Sequence, residues 1–303
     1  MPLRNGNKKI GLVLGSGRAR GLAHVGAVKA LIEYGVRPSV IVGTSFGAIV
    51  GAAIASGRFG ILDFTARNVD LARAVGVFFE FGVHRDGLIK GKRVMDFLGQ
   101  ILPDCSIEEL PIPFAVLATD IETGEPVVID KGKVLQAVRA SISIPGVFTP
   151  VRRGKRILVD GGISSPVPVS TAMAKGADFV VAINVDNSLK CPYQTRRLPS
   201  VISKAVDFTA KIKSELSEKI AHKGASLDGL LSGYESGYGF FDILMKTTRI
   251  CEDRIAREEL LSHPADLLIE PAVGDIPTLD FARSDDAIQA GYDAAVEALE
   301  KLY

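Results

Sequence analysis

Ser45 lies between two glycines in the segment Gly43-Thr44-Ser45-Phe46-Gly47. The short apolar run 38–42 before it, which begins with a proline, predicts a buried strand, and the Ala-rich run 48–55 after it predicts a helix. The two glycines permit a sharp turn that leaves the serine hydroxyl exposed above the helix N-terminus. The pattern is typical of a nucleophile, but it also fits a glycine-rich corner in which the serine is incidental.

Asp160 is the second candidate for chemistry. It follows a short strand predicted over 157–159 and precedes Gly161 and Gly162. An acid in a tight turn after a strand is placed at the carboxyl edge of a sheet, where α/β proteins bind ligands. Alone, the pattern fits an ordinary Asp turn; together with Ser45 and the loop described next, it predicts a shared site.

A glycine-rich loop, residues 15–21, separates a strand predicted over 9–14 from a helix. Unpaired backbone N–H groups at a helix N-terminus bind anions. The dinucleotide-binding pattern fails because Arg20 stands at its sixth position, and no Gly-Lys-Ser/Thr follows as in a P-loop. The transient oxyanion of acyl transfer needs only two N–H groups, and those of Gly17 and Arg18 are the candidates.

The remaining elements alternate between strands and helices, which over 303 residues predicts one large α/β domain. Further strands are predicted at 114–119, 126–129 and 266–270, and helices at 133–140, 200–220 and 285–302. His24 is expected to be a packed, hydrogen-bonded residue. The first helix is predicted to bury Leu22, Val25, Val28, Ala30, Leu31 and Ile32, and a later helix to carry the stripe Phe241, Leu244, Thr248, Cys251 and Ile255.

Composition excludes several classes of protein. A net charge of +1, from 36 basic and 35 acidic side chains, argues against nucleic-acid binding. The three cysteines are far apart, so the sequence predicts neither a disulfide framework nor a metal site. The N-terminus has no apolar signal core, which favours a cytoplasmic protein. The uncharged stretch 39–57 could form a transmembrane helix, but its length is borderline and it contains several polar residues.

Three motifs, in this order, resemble the bacterial patatin-like phospholipase family: residues 15–21, 43–47 and 160–162. Residues 118–120, 139–146 and 166–169 are similar as well, so the resemblance covers 8–186, with a weaker part at 266–300. It implies a three-layer α/β/α fold with a central, mostly parallel sheet. The expected organisation is a single patatin-like acyl hydrolase domain over 8–303, in which 187–262 form a variable insertion with helical and Gly-aromatic parts.

The resemblance also implies a chemistry. By position, Ser45 matches the nucleophile and Asp160 the base that takes its proton, with no catalytic histidine and no cofactor. The expected reaction is hydrolysis of a lipid or fatty-acyl ester, as in a phospholipase A, through an acyl-enzyme on Ser45. Ser16 and Arg18 depart from the family, which usually has glycine there. The expected oxyanion hole comprises Gly15, Ser16, Gly17 and Arg18, and the motifs are completed by Arg20, Gly21, Gly43, Gly47, Gly161 and Gly162.

Other functions stay open on the sequence. An α/β-hydrolase triad would add His222 or His263 after Asp160. Arg18 in the loop supports a catalytically weak or inactive protein with a regulatory or scaffold role, and a nucleotide-binding protein is the remaining alternative.

Two segments could contact lipid, a membrane or a second copy of the chain. The Gly and aromatic segment 228–241 could be a lid, a lipid contact or a contact between copies in a homo-oligomer. Arg152, Arg153, Lys155 and Arg156 indicate a solvated hairpin, or else peripheral contact with anionic headgroups at the inner membrane face.

Overall fold

The apolar runs of the sequence form the strands of an eight-stranded sheet in the computed structural model. Four of these strands are buried along their whole length, as expected for apolar runs covered on both faces of a sheet. The strands predicted at 9–14, 114–119, 126–129, 157–159 and 266–270 are confirmed. The strands are β1 Ile10–Leu14, β2 Val40–Thr44, β3 Phe114–Asp120, β4 Pro126–Ile129, β5 Val151–Arg153, β6 Arg156–Asp160, β7 Phe179–Ile183 and β8 Leu267–Ile269.

The structure describes residues 8–68, 90–186, 240–277 and 280–302. The chain divides into two compact units, residues 1–193 with 251–303 and residues 194–250. The second unit lies within the predicted insertion and is described only from residue 240. The predicted helix over 200–220, most of the 228–241 segment and His222 lie outside the described residues.

The sheet is mostly parallel. Its hydrogen-bonded order is β5, β6, β3, β2, β1, β7, β8, and β4 also pairs with β3. Strands β3, β2, β1, β7 and β8 run parallel, whereas β4, β5 and β6 form antiparallel pairs at one end of the sheet.

Helices cover both faces of this sheet, which gives the expected three-layer α/β/α fold. Val13 and Val42 face a core completed by Val169, Ala172 and Ala256, which lie on two of the helices. Their neighbours along the strands, such as Leu14 and Ile41, point to the other face and lie against Gly51 in the helix that follows β2. The helices are α1 Ala23–Glu33, α2 Phe46–Ala55, α3 Phe59–Asn68, α4 Lys92–Ile101, α5 Val134–Ser141, α6 Val169–Ala174, α7 Phe240–Ser262 and α8 Ser284–Glu300.

Some expectations about these elements were wrong. Ile32, expected on the buried side of α1, is 41% exposed, whereas Leu31 beside it is buried. On α7, Cys251 is exposed, and the buried positions nearby are Glu252, Asp253 and Ala256. The helix predicted from this stripe is confirmed, but Glu252 is buried on it because Arg18, from the glycine-rich loop, binds its carboxylate. The uncharged stretch 39–57 is divided between β2 and α2 and forms no single helix.

Candidate active site

Strand register brings Ser45 and Asp160 together. β4 pairs with residues 116–119 of β3, so it occupies one edge of that strand. β2 and β6 must then share the other edge, β2 beside residues 114–117 and β6 beside 118–120. The last residue of β2, Thr44, lies opposite Leu117, and the last residue of β6, Asp160, lies opposite Ala118. The ends of β2 and β6 therefore meet along a single edge of β3.

Asp160 lies at the expected edge of the sheet, but the strand direction expected for it is wrong. The parallel-sheet rule assumes that the acid ends a strand parallel to its neighbours, but β6 runs antiparallel to β3. Asp160 still reaches the carboxyl edge of β2, because β6 pairs only with the part of β3 that extends past the end of β2.

Ser45 occupies a strained turn between β2 and α2. Its backbone has φ 53° and ψ −120°, a left-handed conformation that disfavours residues with a side chain. A Cβ on Gly47 would overlap the carbonyl oxygen of Leu14, and one on Gly43 would lie 2.6 Å from the carbonyl oxygen of Gly47. Only glycine fits on either side of the serine. Ser45 itself is 3% exposed, so the expected exposure of its hydroxyl is wrong: the side chain points inward to Asp160.

Ser141, at the end of α5, supports this turn. Its hydroxyl accepts a hydrogen bond of 2.7 Å from the backbone N–H of Ser45 and donates one of 2.6 Å to the carbonyl oxygen of Leu117. Ser141 is fully buried. It lies in the segment 139–146 that supported the family resemblance, but sequence reasoning assigned it no role, because a hydroxyl bridging two backbone groups leaves no sequence pattern.

Ser45 and Asp160 are in direct contact. The hydroxyl Oγ of Ser45 donates a hydrogen bond of 2.7 Å to Oδ2 of Asp160, while Oδ1 accepts one of 2.8 Å from the N–H of Gly162. Asp160 is 4% exposed, and burial raises its pKa, although the hydrogen bonds from Ser45 and Gly162 and the charge of Arg18 oppose this. A carboxylate with a raised pKa is a stronger proton acceptor than an ordinary aspartate. The contact therefore places a proton acceptor directly on the Ser45 hydroxyl.

The glycine-rich loop runs beside this pair. Two of its four expected N–H donors are engaged elsewhere: the N–H of Gly15 donates to the carbonyl oxygen of Ile183 at 3.1 Å, and that of Ser16 to Pro166 at 2.8 Å. The N–H groups of Gly17 and Arg18 have no acceptor among the described residues. The loop can therefore offer two backbone donors, fewer than the four residues proposed from the sequence. The closing Gly21 packs against the ring of Phe46, next to Ser45.

Two buried arginines anchor the loop through their side chains. The guanidinium of Arg18 donates to both carboxylate oxygens of Glu252, at 2.9 and 2.8 Å. Arg20 donates to Asp186 and to the carbonyl oxygen of Ile276, each at 2.8 Å. Sequence reasoning missed Glu252 and Asp186 as partners, because each is more than 160 residues from its arginine. The Arg18 guanidinium is thus occupied by Glu252.

The ionisation of this pair reflects competition between burial and charge. Burial alone lowers the pKa of Arg18, but the carboxylates of Glu252 and Asp186 outweigh it and raise the value. For Glu252 burial is the stronger effect and raises the pKa to about 7, against the opposing charge of Arg18. Arg18 therefore stays charged, while Glu252 is the more easily neutralised partner.

Neither described histidine lies between Ser45 and Asp160, whose hydrogen bond is direct. His24 is fully buried, as expected, and Nε2 lies 2.8 Å from the carbonyl oxygen of Gly15. Burial lowers its pKa to about 4, so the ring is neutral, and Nε2 must carry the proton because a carbonyl oxygen only accepts. The side chain of His263 is 45% exposed, with Nδ1 lying 3.5 Å from Glu259.

The described ranges contain neither a metal-ligand cluster nor a helix able to span a bilayer. No group of three or more His, Cys, Asp or Glu side chains is placed to hold a metal ion there. No helix in the part of the chain that the structure describes has both the length and the hydropathy that crossing a bilayer requires.

Comparison with known proteins identifies the family of the chain. Residues 12–173 match the model of the patatin-like phospholipase family, which covers just over half of the chain. An NTE family protein of Mycobacterium tuberculosis is 29% identical over 96% of this chain and 91% of its own length. A lysophospholipase of Aspergillus fumigatus is 27% identical over 97% of this chain, which spans 18% of that protein.

The fold has a solved counterpart. The crystal structure of VipD from Legionella pneumophila superimposes with a TM-score of 0.52 over 97% of this chain and 67% of that one, at 15% identity. At that identity the likeness concerns the fold alone. The family-model match spans both the glycine-rich loop and the Ser45 and Asp160 pair. The chain therefore belongs to the patatin-like phospholipase family, a family of lipid ester hydrolases.

Proposed function

We propose that the protein hydrolyses lipid acyl esters with Ser45 as nucleophile and Asp160 as general base. The observation that carries the proposal is the direct hydrogen bond of 2.7 Å from Ser45 Oγ to Asp160 Oδ2. A serine hydroxyl is a weak nucleophile until a neighbouring base takes its proton. Burial raises the pKa of Asp160, which suits the carboxylate to that task.

The reaction then runs in two halves. Ser45 Oγ attacks the ester carbonyl carbon while its proton moves to Asp160 Oδ2, and the carbonyl oxygen becomes an oxyanion. The N–H groups of Gly17 and Arg18 donate to that oxyanion, which preorganised donors stabilise strongly. The carbon–oxygen bond to the alcohol breaks as Asp160 returns the proton to it. Water, deprotonated by Asp160, releases the fatty acid from the acyl-enzyme in the same way.

The proposed substrate is a fatty-acyl ester with a phosphate-bearing alcohol. The name of the fungal relative, a lysophospholipase, supports a phospholipid with one acyl chain as the first substrate to test. The competing role, a regulatory or scaffold protein, rested on Arg18. Two observations favour catalysis over that role: the Arg18 guanidinium is bonded to Glu252, and two loop N–H groups remain without an acceptor among the described residues.

We also propose that the hairpin of β5 and β6 meets an anionic lipid surface. Arg152, Arg153, Lys155 and Arg156 are all exposed, and Arg152 and Lys155 have no ion-pair partner in the described ranges. Because β6 runs back along the overhanging end of β3, the hairpin projects beyond the sheet edge that carries Ser45. Arg156 lies four positions before Asp160, which corresponds to about 13 Å of strand.

The test combines active-site labelling with turnover. Wild-type protein is treated with a fluorophosphonate probe, the labelled peptide is mapped, and fatty-acid release from lysophosphatidylcholine is measured. We expect labelling at Ser45, its loss in Ser45→Ala, and a decrease of ~10²–10⁴ in turnover in Asp160→Asn, the range for general-base catalysis. The controls are Ser56→Ala, which removes a hydroxyl bonded to the backbone of α2, and Asp104→Asn, an exposed carboxylate.

Two results would count against the proposal. A folded wild-type protein that neither hydrolyses acyl esters nor reacts with the probe would favour the regulatory or scaffold role over catalysis. Loss of activity on replacing His222 or His263 by alanine would replace the dyad by a triad of Ser45, Asp160 and that histidine.

A further inference from the structure

Arg18 adopts a backbone conformation that its side chain disfavours. Its φ is 51°, and Arg18 and Ser45 are the two non-glycine residues with positive φ in the described ranges. The Cβ of an L-residue crowds the backbone in this left-handed region, whereas glycine enters it freely. Something outside the loop must therefore hold Arg18 in place. The conformation matters because the N–H of Arg18 is one of the two proposed oxyanion donors.

The restraint comes from α7. Glu252 binds the Arg18 guanidinium through two parallel hydrogen bonds of 2.9 and 2.8 Å, a bidentate geometry that fixes both distance and orientation. Asp186 adds a longer contact of 3.7 Å to the same group. Arg18 is 7% exposed and Glu252 is 2% exposed, so solvent screens the pair weakly.

The pair also lies close to the proposed base. A Cβ built on Gly162 would lie 3.2 Å from Oε1 of Glu252 and 3.0 Å from Oδ1 of Asp160. An uncompensated cation here would stabilise ionised Asp160 and weaken it as a base, because the charge of Arg18 already lowers the pKa of Asp160. The carboxylate of Glu252 offsets the charge of the guanidinium and so limits the lowering of the Asp160 pKa.

We propose that Glu252 is a positioning residue for catalysis: its bidentate bond to Arg18 holds the strained loop so that the Arg18 N–H faces the oxyanion. The inference rests on the proposed function and adds to it a residue 234 positions along the chain from Arg18. Glu252 takes no part in proton transfer and touches no substrate. From a distant helix, it restrains the backbone conformation of Arg18. A glycine at position 18 would not need this restraint.

The test is a rescue experiment. In Glu252→Gln the bidentate bond to a carboxylate is lost, and we expect kcat on a soluble p-nitrophenyl ester to fall about 10²-fold, the lower end for loss of one oxyanion donor, with KM nearly unchanged. In Arg18→Gly/Glu252→Gln we expect kcat within about threefold of wild type, because glycine takes the left-handed conformation without a restraint. Glu258→Gln, an exposed position on α7, is the matched control.

Turnover is measured across pH and kcat is taken from the plateau, so that a change in the pKa of Asp160 is not mistaken for a loss of positioning. A merely structural role predicts that Glu252→Gln lowers the melting temperature without changing kcat per folded molecule. It also predicts that the double variant, with two groups removed, is no better than Glu252→Gln alone.

Either result overturns the inference: a wild-type kcat in folded Glu252→Gln, or a double variant as slow as the single one. If Glu252→Gln fails to fold, Arg18→Lys provides the same test, since lysine keeps the charge but lacks the planar fork, and its kcat should also fall. Failure of the proposed function looks different, because the wild-type protein itself would then be inert toward ester and probe.

Discussion

The sharpest test of the turn around Ser45 is the substitution Ser141→Ala. The Ser141 hydroxyl accepts from the N–H of Ser45 at 2.7 Å and donates to the carbonyl oxygen of Leu117 at 2.6 Å, and the residue is fully buried. Alanine fits the same space, so the change removes one oxygen atom and two hydrogen bonds. It leaves the Ser45 N–H without its acceptor.

The magnitude follows from these two bonds. A buried polar group that loses its partner costs about 1–3 kcal/mol, so two such groups should lower the free energy of unfolding by about 2–6 kcal/mol. Part of the lost free energy is the part that holds Ser45 in its active conformation at φ 53°. If about 1.4–2.8 kcal/mol is lost there, kcat falls about 10- to 100-fold. We expect KM to change little, because Ser141 is fully buried and contacts the backbone of the turn.

Stability is measured by urea unfolding and activity by kcat on a soluble p-nitrophenyl ester. The matched control is Ser56→Ala, in which the removed hydroxyl caps carbonyls at the partly exposed end of α2. That variant should change the free energy of unfolding by less than about 1 kcal/mol, as is usual for substitutions near the surface. A Ser141→Ala variant that matches Ser56→Ala in both stability and kcat would refute the supporting role of Ser141.

Two further predictions concern charge. The folded-state pKa of Asp160 is raised, so its contribution to stability is present below the ordinary aspartate value of about 3.9 and is lost as pH rises through the folded value. Asp160→Asn should therefore melt at a higher temperature than wild type at pH 8, with the difference shrinking on acidification; a lower melting temperature at pH 8 would contradict this. For the hairpin, Arg152→Glu/Lys155→Glu should weaken binding to phosphatidylserine vesicles about 30-fold or more, at about 1 kcal/mol per basic residue, without changing turnover of a soluble ester. Lys9→Glu/Arg37→Glu makes the same charge change before β1 and β2, at the opposite sheet edge, and equal weakening by both pairs would argue against a specific surface.

Local parts of the site could be predicted from the sequence because their causes are local. The run 38–55 contains the strand, the two glycines and the helix that together require a sharp turn at Ser45, and the structure has β2 and α2 on either side of it. The loop 15–21 is another such case. Its glycines and its position between strand and helix predicted donors at Gly17 and Arg18, the two N–H groups that have no acceptor in the described ranges.

The position of Asp160 was predicted correctly for an incorrect reason. A strand followed by an acid and two glycines indicates a sheet edge, but it does not show whether the strand runs parallel or antiparallel to its neighbours. That depends on the register of β6 against the end of β3, which overhangs β2. The sequence contains the turn, and only the pairing of three strands puts the carboxylate beside the serine.

The turn at Ser45, the turn at Asp160 and the glycine-rich loop were thus determined by the sequence itself, because short-range sterics of glycine and strand propensity act over a few neighbouring residues. The tertiary structure alone decided that Ser141 supports the turn and that Glu252 holds Arg18. Those contacts join groups 96 and 234 residues apart. A hydroxyl or carboxylate looks the same in the sequence whether it faces solvent or a buried partner, and only packing of the complete chain determines which.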